Sequence, residues 1–164
     1  MSASNFFVGA PNRMASKGRE FDTLDEAITF LYAALHADKM WIHGLGVHNP
    51  HPKQYDSVHI FPQDTFLTED QEKMEKMDLQ EFVRHGKKLI ANGVPAISVT
   101  ADFGEKRIRV SCYLFQPSIY QKVMRTNQYG VLLAAYTNNP RERENTLIQY
   151  NDTIEQWYQE NSLK

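Results

Sequence analysis

The stretch that decides the fold is Ala96 to Phe115, AISVTADFGEKRIRVSCYLF. Apolar side chains occupy alternate positions in both halves of it, at Ile97, Val99 and Ala101, and again at Ile108, Val110, Cys112 and Leu114. Such alternation is typical of strands that place one face against a core. The stretch therefore predicts an antiparallel hairpin, with Ala96–Ala101 and Arg107–Phe115 as strands and Asp102–Glu105 as the turn.

The segment upstream of the hairpin predicts a helix from the residues TLDE at Thr23–Glu26 to about Ala37. Threonine followed three residues later by glutamate is a capping box, in which each side chain bonds a free backbone N–H at the helix start. Apolar residues then recur at helical spacing, at Leu24, Ala27, Ile28, Leu31, Ala34 and Leu35. This spacing indicates a helix with one face in the core.

Two further helices are expected. A second capping box at Thr68–Gln71 begins helical sequence that extends to about Ala91, with a break near Met77–Asp78 and a stop at Asn92-Gly93. Asn139 followed by Pro140 combines an N-cap residue with proline at the first helical position, so it predicts a C-terminal helix that ends near Asn161.

The remaining elements complete an α+β pattern. Short strands are expected at Asn5–Gly9, Arg19–Phe21, Lys39–Leu45, Asp56–Phe61 and Val131–Tyr136, and a short helix at Pro117–Arg125. The segment from Ala10 to Lys17 is expected to be a loop. Hairpins mixed with helices favour a mostly antiparallel sheet over regular βαβ units. We therefore expect one α+β domain over residues 1–164, with about five strands and about three main helices.

Composition limits the class of protein. The 164 residues are 41% apolar and 23% charged, with a net charge of −2, which suits one folded domain and disfavours a general polyanion binder. The single cysteine, Cys112, excludes an internal disulfide and fits a reducing compartment. The first residues lack the pattern of a signal peptide, and no apolar run approaches the roughly 20 residues that span a bilayer. We expect a soluble cytoplasmic protein with no membrane partner.

Histidine is concentrated between Met40 and Pro62, at His43, His48, His51 and His59. If Lys39–Leu45 pairs with Asp56–Phe61, His43 and His59 share one face, and the other two histidines lie in the connecting loop. Imidazoles within reach of one another bind zinc or another divalent metal, so one hypothesis is a metal-dependent hydrolase or nuclease. The spacing matches no established metal motif, however, which favours a structural hairpin with surface histidines and no cofactor.

Charge is strongly segregated along the chain. From Asp64 to Glu81 there are seven acidic and two basic residues, a local charge of −5. From Lys106 to Arg141 there are six basic residues and no acidic one. An acidic helix beside a basic half suits contact with a charged partner, and a second copy of the chain is one such partner.

The basic stretch contains the surface that we expect to bind a partner. Its candidate contact residues are Arg107, Arg109, Tyr113, Phe115, Lys122 and Arg125. The first four alternate with the core positions of the second hairpin strand, and arginine and tyrosine are common in protein interfaces. No nucleophile elbow or phosphate-binding loop is present. We therefore expect a non-enzymatic binding or regulatory protein that acts on another protein. One alternative is a single-strand nucleic-acid binder that uses the same face; another is that the face is covered and its tyrosines are core.

Overall fold

The computed structural model describes residues 4–8, 14–37, 42–48, 64–66, 73, 76–93, 96–103, 108–115, 129–136 and 140–161. The strands in these ranges are Ser4–Val8 (β1), Met14–Phe21 (β2), Ile42–His48 (β3), Asp64–Phe66 (β4), Ala96–Phe103 (β5), Ile108–Phe115 (β6) and Tyr129–Tyr136 (β7). The helices are Leu24–His36 (α1), Leu79–Ala91 (α2) and Pro140–Glu160 (α3). Among the described helices, none is long and apolar enough to cross a membrane.

The strands form one sheet in the order β1-β2-β7-β6-β5-β3-β4, and each pairing is antiparallel. The α+β class and the antiparallel sheet agree with expectation. The expected number of about five strands is too low, because the described residues alone contribute seven. The edge strand β1 overlaps the strand expected at Asn5–Gly9, whereas the other edge strand, β4, has only three residues, too few for an alternating pattern in the sequence.

The predicted β5–β6 hairpin forms, and it lies near the middle of the sheet. Ile97 pairs with Leu114, and Val99 with Cys112, which in turn lies opposite Leu133 of β7. All five side chains are buried in the core that the sheet shares with the helices. The predicted turn is partly wrong, since its first two residues extend β5.

Helix α1 begins at the predicted N-cap residue Thr23, where the described hydrogen bonds include the first of the two capping-box bonds. The Thr23 side chain accepts a hydrogen bond from the Glu26 backbone N–H at 3.2 Å, and its hydroxyl donates to the Glu26 carboxylate at 3.0 Å. The helix contacts five strands of the sheet and both other helices. Its buried residues, which include Ile28, Phe30 and Leu31, form the centre of the core.

Helix α2 starts where the break was expected. Asp78 is its N-cap, and the Asp78 carboxylate accepts from the Glu81 backbone N–H at 2.9 Å. Gly93, with a φ of 93°, follows the end of the helix, a conformation that glycine adopts without steric cost. Upstream of the break, Lys73 and Lys76 are the described helical positions. Helix α2 packs mainly on α1 and so forms an outer layer over it.

Two other expectations are corrected. Met14–Lys17 is strand and not loop, because β2 pairs with β7 along its whole length, beginning at Met14 opposite Tyr136. The sequence of α3 predicts that the helix docks through Leu147, Ile148, Ile154, Trp157 and Tyr158, but Ile148 is 45% exposed. Leu147, Ile154 and Tyr158 lie in the core as expected, together with Tyr150. The predicted strand at 56–61 and helix at 117–125 lie outside the described residues.

Candidate functional site

The structure describes only part of the histidine segment and corrects the position of one histidine. β3 continues to His48, which is therefore a strand residue and not part of a loop. The described partners of β3 are β4 and β5, and the pairing with β5 shifts register between Ile42 and Gly44, on either side of His43. His51 and His59 lie outside the described residues. The proposed meeting of His43 and His59 stays a prediction.

The strand register places an aspartate, another residue type that binds metals, opposite a histidine of this segment. Asp64, the first residue of β4, is the register partner of His48. In the sequence Asp64 counts only among the acidic residues, since nothing local indicates that it pairs with β3. In the part of the chain that the structure describes, no three His, Cys, Asp or Glu side chains lie together as a metal site.

The predicted partner-binding residues are partly visible. Arg109, Tyr113 and Phe115 belong to β6 and alternate with Val110, Cys112 and Leu114, which lie in the core that includes the helices. Tyr113 is only 3% exposed, and its register partner Leu132 is fully buried. The expectation that Tyr113 forms an exposed contact is thus not met in this conformation. Arg107, Lys122 and Arg125 lie outside the described residues.

Arg19 occupies an unusual place for a charged side chain, inside the helix-covered layer. Its guanidinium carbon lies 5.0, 4.6 and 5.8 Å from the ring centroids of Phe21, Phe30 and Tyr158. Its guanidinium forms an ion pair with Glu155 of α3. Burial lowers the pKa of Arg19, although the residue stays a cation at neutral pH. The ion pair and the aromatic cage tie β2 to α1 and α3.

Further buried polar groups lie on the inner side of α3. The Tyr150 hydroxyl and the Asn151 side-chain oxygen are buried and have no hydrogen-bond partner among the described residues. Nearby, burial raises the pKa of the Cys112 thiol, so the residue stays a neutral, inaccessible thiol. A reactive cysteine requires exposure and a lowered pKa. This region therefore has the properties of a structural anchor.

Among the described residues, a surface groove between α1 and α2 is a candidate binding site. It has a volume of about 460 Å³, is open to solvent, and is lined by Asp25, Thr29, Leu79, Gln80, Val83, Arg84 and Lys87. The two helices are antiparallel there, since Lys87 near the end of α2 forms a 3.0 Å ion pair with Asp25 at the start of α1. Leu79 and Val83 are half-buried and supply the apolar part of its wall.

Sequence reasoning missed this groove because it treated the helical region as acidic. Most of the acidic residues precede α2. Within Leu79–Ala91 there is one acid, Glu81, and there are three basic residues, Arg84, Lys87 and Lys88. The spacing of Leu79 and Val83, four residues apart beside a cluster of cations, is the local pattern that could have indicated the surface.

Comparison with known proteins adds no assignment. No family model matches the chain, and neither the curated proteins nor the solved structures give a significant match.

Proposed function

We propose that this chain is a non-enzymatic binding protein, that its partner is another protein, and that the α1–α2 groove is a contact surface. The observation that carries the proposal is the exposed Arg84 beside the half-buried Leu79 and Val83. Arginine is enriched at the hot spots of protein interfaces, and partly exposed apolar side chains beside it provide surface that a partner can bury. The buried thiol of Cys112 supports a non-catalytic role in a reducing compartment such as the cytoplasm.

The basic and aromatic stretch at residues 106–125 is proposed as a second contact surface. Arg109 and Phe115 stand near the two ends of β6, on the positions that alternate with the core set. Since the intervening Tyr113 is buried, the contact would use the strand ends and the flanking Arg107, Lys122 and Arg125. The segregated charge favours an acidic partner for this surface.

Affinity capture with chemical cross-linking and mass spectrometry tests the proposed function. We expect a stoichiometric protein partner whose binding weakens in the Arg107→Ala, Arg109→Ala double variant and becomes less dependent on salt. The matched control is Lys73→Ala, Lys76→Ala, which removes two exposed positive charges elsewhere. Equal binding by the arginine double variant would exclude this surface. A partner that proves to be single-stranded DNA or RNA in gel shifts would replace the protein partner.

A metal-dependent hydrolase is a second candidate, favoured by the register pairing of His48 with Asp64. An imidazole and a carboxylate are both common zinc ligands, and a histidine from the same segment would complete a site. Metal analysis of protein purified without a histidine tag tests it. A stoichiometric metal that is lost both in His48→Ala, Asp64→Ala and in His43→Ala, His59→Ala would favour the hydrolase, whereas metal-free protein would exclude a tightly bound metal cofactor.

A further inference from the structure

The partner of the α1–α2 groove can be described by its chemistry. We infer that the groove binds a peptide segment that presents an aspartate or glutamate about one helical turn from an aliphatic or aromatic side chain. This inference rests on the proposed function, since it takes the groove to be a protein contact surface.

The requirement for an apolar side chain in the peptide follows from two residues of α2. Leu79 and Val83 are four residues apart, so they lie on one face of the helix, about 6 Å from each other. Both are only half-buried, while Phe82 beside them turns inward and is fully buried. The two side chains therefore leave apolar surface in the groove wall that another apolar group can cover.

The requirement for an acidic side chain in the peptide follows from Arg84. Two other polar groups in the groove are already engaged: the Lys87 ammonium lies 3.0 Å from the Asp25 carboxylate, and the Thr29 hydroxyl donates to the Asp25 carbonyl at 2.7 Å. Arg84 is exposed and forms no ion pair with the described residues. Because a guanidinium binds a carboxylate through two parallel hydrogen bonds, Arg84 selects an acidic side chain.

The shape of the groove distinguishes a peptide from other ligands. Sites for small molecules enclose most of the ligand surface, whereas this groove is open to solvent. A nucleic acid would need several cations for its phosphates. Among the described residues, the groove offers one uncommitted cation and places the Asp25 carboxylate beside the second. A helical peptide meets both conditions, because it lies in the groove and presents one acidic and one apolar side chain on the same face.

The test uses random 12-residue peptides displayed on phage and selected against the full-length protein. We expect the selected peptides to combine an acidic residue with an apolar one at helical spacing. In fluorescence anisotropy, Arg84→Glu should weaken their binding at least about tenfold, as loss of a charge-assisted hydrogen-bonded pair does. The matched control is Lys88→Glu, which makes the same charge change at an exposed position of α2 outside the groove and should leave affinity within about twofold.

The outcomes separate this inference from the proposed function. Circular dichroism and urea unfolding first establish that both variants fold as the parent does. No selected peptides, peptides without acidic residues, or equal losses in the two variants would each overturn the inference. Another outcome is that affinity capture still recovers a protein partner whose affinity is the same for the parent and for Arg84→Glu. In that case the binding function stands, and the inferred recognition of an acidic peptide by the groove is wrong. If no partner is recovered by any method, the proposed function itself fails.

Discussion

Helices α1 and α2 start with the same kind of N-cap but are buried to different extents. Each has 13 residues, and each starts at an N-cap whose side chain accepts from the backbone N–H three residues later. Yet α1 buries eight residues and α2 buries two, Phe82 and Gly86. Local sequence therefore determines where both helices start, and contacts with the rest of the chain determine how much of each one is covered.

The difference in burial follows from the position of each helix in the fold. Helix α1 is packed between the sheet and the other helices, so most of its surface contacts apolar side chains. Helix α2 rests on α1 from outside, and the partial cover leaves Leu79 and Val83 accessible in the groove. A helix that contributes little to the core can change its exposed residues at low cost in stability, which makes α2 the better place for partner recognition.

The largest predicted difference between the helices is in the cost of truncating an apolar side chain. Leu31→Ala in α1 should lower the free energy of unfolding by about 2–5 kcal/mol, because the side chain is fully buried and its loss leaves a cavity. Val83→Ala in α2 should cost less than about 1 kcal/mol, since Val83 is half-buried beside an open groove. Urea unfolding monitored by circular dichroism measures both. Similar costs would mean that α2 belongs to the core.

The second predicted effect concerns the close packing of α2 against α1. A Cβ at Gly86 would lie 3.1 Å from both the Cδ1 and the Cγ2 atoms of the buried Ile28. Gly86→Val should therefore destabilise the protein by about 1–3 kcal/mol through overpacking. Lys88→Val is the control, since it introduces the same β-branched side chain at an exposed position and should cost only about half a kcal/mol. A stable Gly86→Val variant would contradict the close contact.

The smallest predicted effect concerns the N-cap hydrogen bond that both helices have. Thr23→Ala and Asp78→Ala each remove one capping hydrogen bond, at 3.2 and 2.9 Å, so each should cost about 1 kcal/mol. Thr23→Ser and Asp78→Asn retain the cap and serve as controls. Thermal unfolding would measure the four variants together. A cost at one cap more than twice that at the other would show that the two helix starts are not equivalent.

Features fixed by neighbouring residues could be predicted from the sequence. The Thr23 cap, the break at Met77–Asp78 and the start of α3 at Pro140 depend on groups a few residues apart. The β5–β6 hairpin was predictable for the same reason, because its apolar alternation and its connection are local.

Features that depend on distant residues could not be predicted. The pairing of β3 with β4, which puts Asp64 opposite His48, joins segments separated by a long connection. The burial of Tyr113 depends on what lies over the second face of the sheet, and alternation alone does not report it. The groove arises from the packing of α2 on α1, so no single helix shows it.

Native-state hydrogen exchange, read by mass spectrometry, tests most directly the claim that α1 is a core helix and α2 an outer layer. Amides of α1 should exchange only through global unfolding, with a protection free energy equal to that from urea unfolding. Amides of α2 should exchange through a local opening that requires less free energy, by at least about 1–2 kcal/mol. Equal protection in Leu24–His36 and Leu79–Ala91 would contradict this account.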